Sequence, residues 1–385
     1  MNKITLSTLS LALLSAAGAA HAQSSVTLYG AIDNGIQYVS NNQGKSQVGL
    51  ADSTTIANRW GLKGTEDLGA GLKAIFQVES GFNVNNGTLY QGGALFGRQA
   101  YVGLSSDRYG TLTLGRQYDA VTDMVQPLTG DAWAYLFATP GDVDNNDNSA
   151  RFNNSVKYVS PVISGLQFEG TYSLGGVAGS TGSGQSWSAG ATYGIGGLSL
   201  AAGYLNVRNG NATQRINADG DAIWNSSTSG GAMFDSNINR FVQSAASIGI
   251  AQVGAQYVWG PFTGSVRYSN ALYRPDGQSS FSSIQRYNVG SALLQYQLTP
   301  AFALALDYAY VNGSGNVNPE TGNSSQSYNQ LGLGAQYALS KRTAVYALGV
   351  YQHANSGGHA SISSTGIDSS SQNQAIAVIG LSHKF

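Results

Sequence analysis

The sequence predicts an all-β chain: a transmembrane antiparallel β-barrel of 16 strands. Three observations predict it. Apolar and polar residues alternate with a period of two, charged residues make up only 10 % of the chain, and short turns alternate with long Asn/Gly/Ser-rich connections. A period of two marks a strand whose faces meet different surroundings. A soluble sandwich would expose its polar face to water, and in a chain of this size that face should be rich in lysine and glutamate. There are only 7 lysines, so the inverted arrangement is favoured, with the apolar face toward lipid and the polar face lining a lumen.

The composition excludes several classes. Disorder requires low hydrophobicity with high net charge, whereas 42 % of these 385 residues are hydrophobic and the formal net charge is −1. That charge offers no electrostatic footprint for nucleic acid. The absence of cysteine removes disulfides, thiolate metal sites and cysteine catalysis together.

The first segment reads as an address. Met1-Asn2-Lys3 is a short basic start, Leu9 to Ala20 is apolar but for Ser10, Ser15 and Gly18, and Ala20-His21-Ala22 gives a small-x-small cleavage pattern. A membrane helix would need about 20 apolar residues. Residues 1–22 are therefore expected to be a signal peptide cut after Ala22, leaving 23–385 as one exported barrel domain.

From there the alternation repeats. In Ala301 to Val311, Phe302, Leu304, Leu306, Tyr308 and Tyr310 share one face, and Ala303, Ala305, Asp307 and Ala309 share the other. Leu166-Phe168-Tyr172 opposes Gln167-Glu169-Thr171, and Phe262-Val266-Tyr268 opposes Thr263-Ser265-Arg267-Ser269. Leu331-Leu333-Ala335-Tyr337 opposes Gln330-Gly332-Gly334-Gln336. Aromatics such as Tyr193, Tyr257, Trp259 and Tyr337 fall near strand ends, as in the girdles at membrane interfaces.

The connections supply the strand count. Short turns lie at Glu66–Gly71, Ser105–Gly110, Ser160–Gly165, Gly194–Gly197, Trp259–Pro261, Thr299–Pro300 and Ser340–Arg342. Long connections lie near 40–54, 83–93, 119–150, 175–185, 208–244, 273–285, 312–326 and 354–372. Together they join 16 strands, with both termini on the short-turn side. A barrel of that size leaves an aqueous channel. The longest connection, 208–244, reads as a surface loop too polar and irregular to plug it.

Val26 to Tyr118 resembles the general diffusion porins of Gram-negative outer membranes. The carrying segments are Val26-Thr27-Leu28-Tyr29-Gly30, Arg59 to Gly69 (RWGLKGTEDLG), Arg98 to Leu104 (RQAYVGL) and Gly110 to Gln117 (GTLTLGRQ). At the other end stands Gly380-Leu381-Ser382-His383-Lys384-Phe385, whose final phenylalanine belongs, in that family, to the signal read by the barrel-assembly machinery. The resemblance implies an outer-membrane homotrimer of water-filled barrels among lipid and lipopolysaccharide, passing ions and small hydrophilic solutes without a cofactor. It also implies that the third long loop, Asp119 to Ala150, folds inward and presents acids to a ladder of arginines.

That loop carries Asp119, Asp123, Asp131, Asp142, Asp144 and Asp147. Pro127-Leu128-Thr129-Gly130-Asp131 stands where the family has Pro-Glu-Phe-Gly-Gly, so Leu128 replaces the glutamate and Asp131 is the remaining carboxylate. The expected acidic side is Glu79, Asp131, Asp123 and Asp119. For the basic wall, alternation turns Arg59 and Lys63 inward opposite to Trp60 and Leu62, and turns Lys73, Gln77 and Glu79 inward opposite to Ala74, Phe76 and Val78. Arg98 and Arg151 match pore arginines of the family. Arg116 shares a face with Leu112 and Leu114, which suggests a subunit contact. Opposed walls set up a transverse field and concentrate counter-ions. Arg59, Lys63, Lys73, Arg98 and Arg151 against Glu79 and Asp131 imply a mild anion preference, which Asp119 and Asp123 would oppose.

Other classes fare worse. A barrel hydrolase needs serine, histidine and an orienting group at one height, and His353, His359 and His383 single out no serine. Asp142 to Asp147 resembles the start of a calcium loop but lacks glycine at the sixth place and has Asn153 at the twelfth. No metal site is expected. The nearer alternatives are a substrate-specific porin and a receptor or adhesin barrel that works through its loops.

Overall fold

The computed structural model describes residues 25–385 except positions 148, 177, 181, 209–233, 320–321 and 364. The expected export segment and most of connection 208–244 lie outside the described residues.

The strands follow in order: β1 (Ser25–Asn42), β2 (Lys45–Asp52), β3 (Arg59–Gly69), β4 (Leu72–Gly81), β5 (Gln99–Ser106), β6 (Gly110–Gln117), β7 (Phe152–Val159) and β8 (Leu166–Ser173). They continue as β9 (Ser186–Ile195), β10 (Leu198–Arg208), β11 (Ser247–Trp259), β12 (Phe262–Arg274), β13 (Gln285–Thr299), β14 (Phe302–Ser314), β15 (Ser325–Ala338) and β16 (Thr343–Ala354). A small hairpin, β17 (Ser361–Ile362) with β18 (Ile367–Asp368), precedes β19 (Asn373–Lys384).

Neighbours pair antiparallel from β3 round to β16, then β19 pairs with β16 and with β1. β2 and β3 lie end to end along β1, with Asn34 opposite Asp52 and Ala31 opposite Arg59. They form one interrupted stave, so the sheet is a closed 16-stranded antiparallel barrel. The faces invert those of a soluble protein: on β14, Leu304, Leu306, Tyr308 and Tyr310 are exposed, whereas Ala305, Asp307 and Ala309 are buried.

Two expectations about loops need correction. Segment 40–54 is not a long loop but a hairpin of β1 and β2, turned at Gln43 and Gly44, both with positive φ as a tight primed turn requires. The true interruption, 53–58, is organised by buried Asp33, whose carboxylate accepts from Thr54 N (3.1 Å), Thr55 N (3.0 Å) and the Tyr346 hydroxyl (2.7 Å). Nor is all of 208–244 surface. In its described part Phe234, Ile238 and Val242 are buried, in one apolar cluster with Ile248, Ile250, Tyr273 and Tyr287. Polarity summed over the whole segment conceals these few apolar residues.

The third long connection holds two short helices, α1 (Ala120–Met124) and α2 (Gly130–Trp133). It contacts β8, β9 and β10 through α1 and β13 through α2, with later residues reaching β16. It meets the strand face turned away from the exposed apolar side chains. On β15, Gly332 and Gly334 make the close approach possible: a Cβ there would lie 2.6 Å from the Phe137 ring and 2.2 Å from the Trp133 ring. Trp133 and Phe137 stack on each other at 5.4 Å.

Candidate functional site

Adjacent ends of β3, β4 and β5 gather the first charges. Arg98 Nε lies 2.6 Å from Glu79 Oε1, and Arg59 Nε lies 3.6 Å from Glu79 Oε2. Tyr29 donates its hydroxyl to Glu79 at 2.8 Å and accepts from Gln77 Nε2 at 2.7 Å. Lys63 Nζ stands 5.3 Å above the Tyr29 ring. Glu79 therefore belongs among the bases rather than opposite them, since alternation gives a residue's face but not the neighbour it meets across the sheet. Arg98 would share the outward face of Ala100 and Val102 by strict parity. It precedes β5, where the pleat no longer fixes direction, and it turns to Glu79.

Arg151 donates to the Ser149 carbonyl (2.8 Å) and the Tyr118 hydroxyl (3.4 Å), with its guanidinium 5.2 Å from the Tyr118 ring centre. Arg116 lies within electrostatic reach of Arg151. It donates to the Gly97 carbonyl at 2.7 Å and to Asn153 Oδ1. The ladder slips between Gly115 and Gln117, so the parity that grouped Arg116 with Leu112 and Leu114 is interrupted there. Lys73 is apart from this group, 3.9 Å from exposed Asp107 near the β5–β6 turn.

The acids of the third loop divide by environment. Asp119 is buried and caps α1, accepting from Val121 N (2.8 Å) and Thr122 N (3.2 Å). It holds the loop together rather than lining an opening. Asp123 pairs with Lys157 of β7, which also lies 3.4 Å from Glu169 of β8. Asp144 pairs with Arg267 of β12 and accepts from Ser269. Burial pushes the Asp131, Asp142 and Asp147 carboxyls well above the usual carboxylate range, and the neighbouring charge of Asp131 raises Asp147 further. Leu128 packs with Val125 and Ala201, which explains an apolar residue at that place.

Sequence reasoning gives Lys157 and Arg267 no role in the wall. Alternation already turns Arg267, Glu169 and Asp307 toward the polar face, and Lys157 alternates with exposed Val156 and Tyr158. The missing information is which loop carboxylate each meets. Between the barrel wall and the loop remains a cavity of about 350 Å³, bordered by Arg98, Arg151, Tyr90, Tyr135, Asp52 and Asp147.

At the barrel seam Phe385 exchanges backbone hydrogen bonds with Gly30 at 3.0 and 3.1 Å. A Cβ at Gly30 would lie 2.4 Å from the Phe385 ring. His353 and His383 bond Asn373 and Thr343 rather than a serine.

A family model described as Gram-negative porin matches residues 8–358. The chain belongs to the Gram-negative porin family. The porin is 32 % identical over 370 residues to an outer membrane porin protein of Bordetella pertussis, covering 87 % of this chain and 90 % of that one. Its barrel is similar to a solved anion-selective porin from Comamonas acidovorans, with a TM-score of 0.74 and 22 % identity over 94 % of this chain and 100 % of that one. It is also similar to the trimer form of OmpT from Vibrio cholerae, with a TM-score of 0.65 and 15 % identity over 94 % and 99 % of the two chains. This porin is thus an outer-membrane channel protein and not an enzyme.

Proposed function

We propose that this porin is a homotrimeric channel for passive diffusion of ions and small hydrophilic solutes, with segment 119–150 setting its narrowest cross-section and a mild anion preference. The carrying observation is an imbalance of compensation. The nearby acids are paired or capping (Glu79, Asp119, Asp123, Asp144) or are held toward neutrality by burial (Asp131, Asp142, Asp147), while Arg59 and Arg98 share the single carboxylate of Glu79 and Lys63 stands against the Tyr29 ring. A lumen with surplus positive charge concentrates anions. The name of the Comamonas acidovorans relative and the trimer form of OmpT are consistent with this reading. In this proposal the chain is exported with cleavage after Ala22 and Phe385 is read by the barrel-assembly machinery, whereas Arg116, bonded to Gly97 and Asn153 beside Arg151, is assigned no role in a subunit contact.

The test is single-channel current in a planar bilayer under a salt gradient. Large ohmic steps arriving in threes, with a zero-current potential of anionic sign, are expected. Folded protein without conductance would refute the channel, and a cationic potential would refute the selectivity.

A further inference from the structure

We propose that residues 234–246 of the fifth long loop form a second sizing element, and that the Arg240–Asp368 pair limits how fast larger solutes approach the narrowest cross-section. The proposal rests on the channel reading above but on a different set of contacts.

Arg240 Nη2 lies 2.8 Å from Asp368 Oδ2, joining the fifth long loop to β18 in the eighth. The other oxygen of that carboxylate accepts from Asn237 N at 3.2 Å. Asn239 donates to the Gly141 carbonyl of the third loop at 2.7 Å, and Asn318 of the seventh loop donates to the Asn237 carbonyl at 3.1 Å. The eighth loop also holds the third: Ser363 donates to the Thr139 carbonyl at 2.7 Å and accepts from Asp142 N at 3.2 Å. Four loops that are far apart in sequence thus grip one another.

Apolar burial fixes the same segment to the barrel wall. Ile238 and Val242 are fully buried with Tyr273 of β12 and Tyr287 of β13, whose hydroxyl donates to the Ile238 carbonyl at 2.8 Å. These tyrosines stand on the face that elsewhere carries Arg267 and Ser269. The cavity beside Arg98 and Arg151 is bordered by Asp235 and Ser236 from the fifth loop and by Ile362 and Ser363 from the eighth. Those residues thus line the same cavity as the arginines. Releasing the clamp widens that approach without altering the basic wall.

The test combines two readouts on the full-length protein reconstituted in liposomes. Swelling in neutral sugars of increasing size reports aperture and is insensitive to the charge removed by Asp368→Ala. The chain has no cysteine, so Val242→Cys is an unambiguous reporter for a water-soluble maleimide. Asp368→Ala is expected to admit larger sugars several-fold faster and to speed labelling of Val242→Cys several-fold, and Arg240→Ala is expected to do the same. Unchanged swelling and labelling in both variants overturn the proposal. Faster labelling without faster swelling refutes the sizing role, and faster swelling without faster labelling refutes the clamp. If the parent passes neither ions nor sugars, the channel reading and the sizing role fall together, while the labelling contrast still decides the clamp.

Discussion

Arg98 and Glu79 meet at 2.6 Å with both side chains almost fully buried, one just before β5 and the other near the end of β4. The carboxylate sits among the bases, restraining the positive wall from within.

Removing that restraint is the first prediction. Glu79→Gln removes the carboxylate that Arg59 and Arg98 share while preserving side-chain volume. The zero-current potential under a salt gradient should move further toward anion selectivity. A shift toward cations, or none, would contradict the placement of Glu79 on the conducting path.

The second concerns the loop tether. Arg267→Leu strands Asp144 in a buried site, and removing one partner of a buried pair costs about 3–5 kcal/mol. Ser269 still donates to Asp144, which places the loss toward the lower end. A lower denaturant midpoint for the folded barrel is expected, together with noisier open-channel current as segment 119–150 loosens. A quiet channel of parental stability would show that the pair does not hold the loop.

The third follows from charge and pH. Burial holds the Asp131, Asp142 and Asp147 carboxyls toward their neutral form, because desolvation penalises the charged one. Raising the pH ionises them and adds negative charge beside the channel. Anion preference should therefore decline as the solution is made alkaline, and Asp131→Asn should blunt that decline. Zero-current potentials recorded across a pH series decide it, and a preference that grows with pH would be the wrong sign.

The fourth tests the barrel seam. A Cβ at Gly30 meets the Phe385 ring at 2.4 Å and the Arg59 carbonyl oxygen at 2.6 Å. Overpacking of this kind costs about 1–3 kcal/mol. Gly30→Ala should lower the fraction of heat-modifiable folded protein. In protein refolded in detergent, away from the assembly machinery, adding Phe385→Ala should recover only part of it, since the carbonyl contact persists. Full recovery would assign the whole effect to the ring.

The sequence by itself determined the barrel. Alternation between Leu304-Leu306-Tyr308 and Ala305-Asp307-Ala309 needs only the pleat of a strand to become an outer and an inner face. Scarce charge states which of those faces meets lipid. The same parity turns Arg59, Lys63 and Glu79 to one side and places Glu169 and Arg267 on the polar face.

Only the tertiary structure decided the partners. Glu79 joins Arg98, Asp123 joins Lys157, and Asp144 joins Arg267, separations of 19, 34 and 123 residues along the chain. Parity carries no information about register between a loop and a distant strand, and it fails wherever the ladder slips, as after Gly115. The inward seat of Ile238 and Val242 is hidden for a related reason. A loop's mean polarity says little when two or three apolar side chains, matched to Tyr273 and Tyr287 on strands folded around them, decide where it rests.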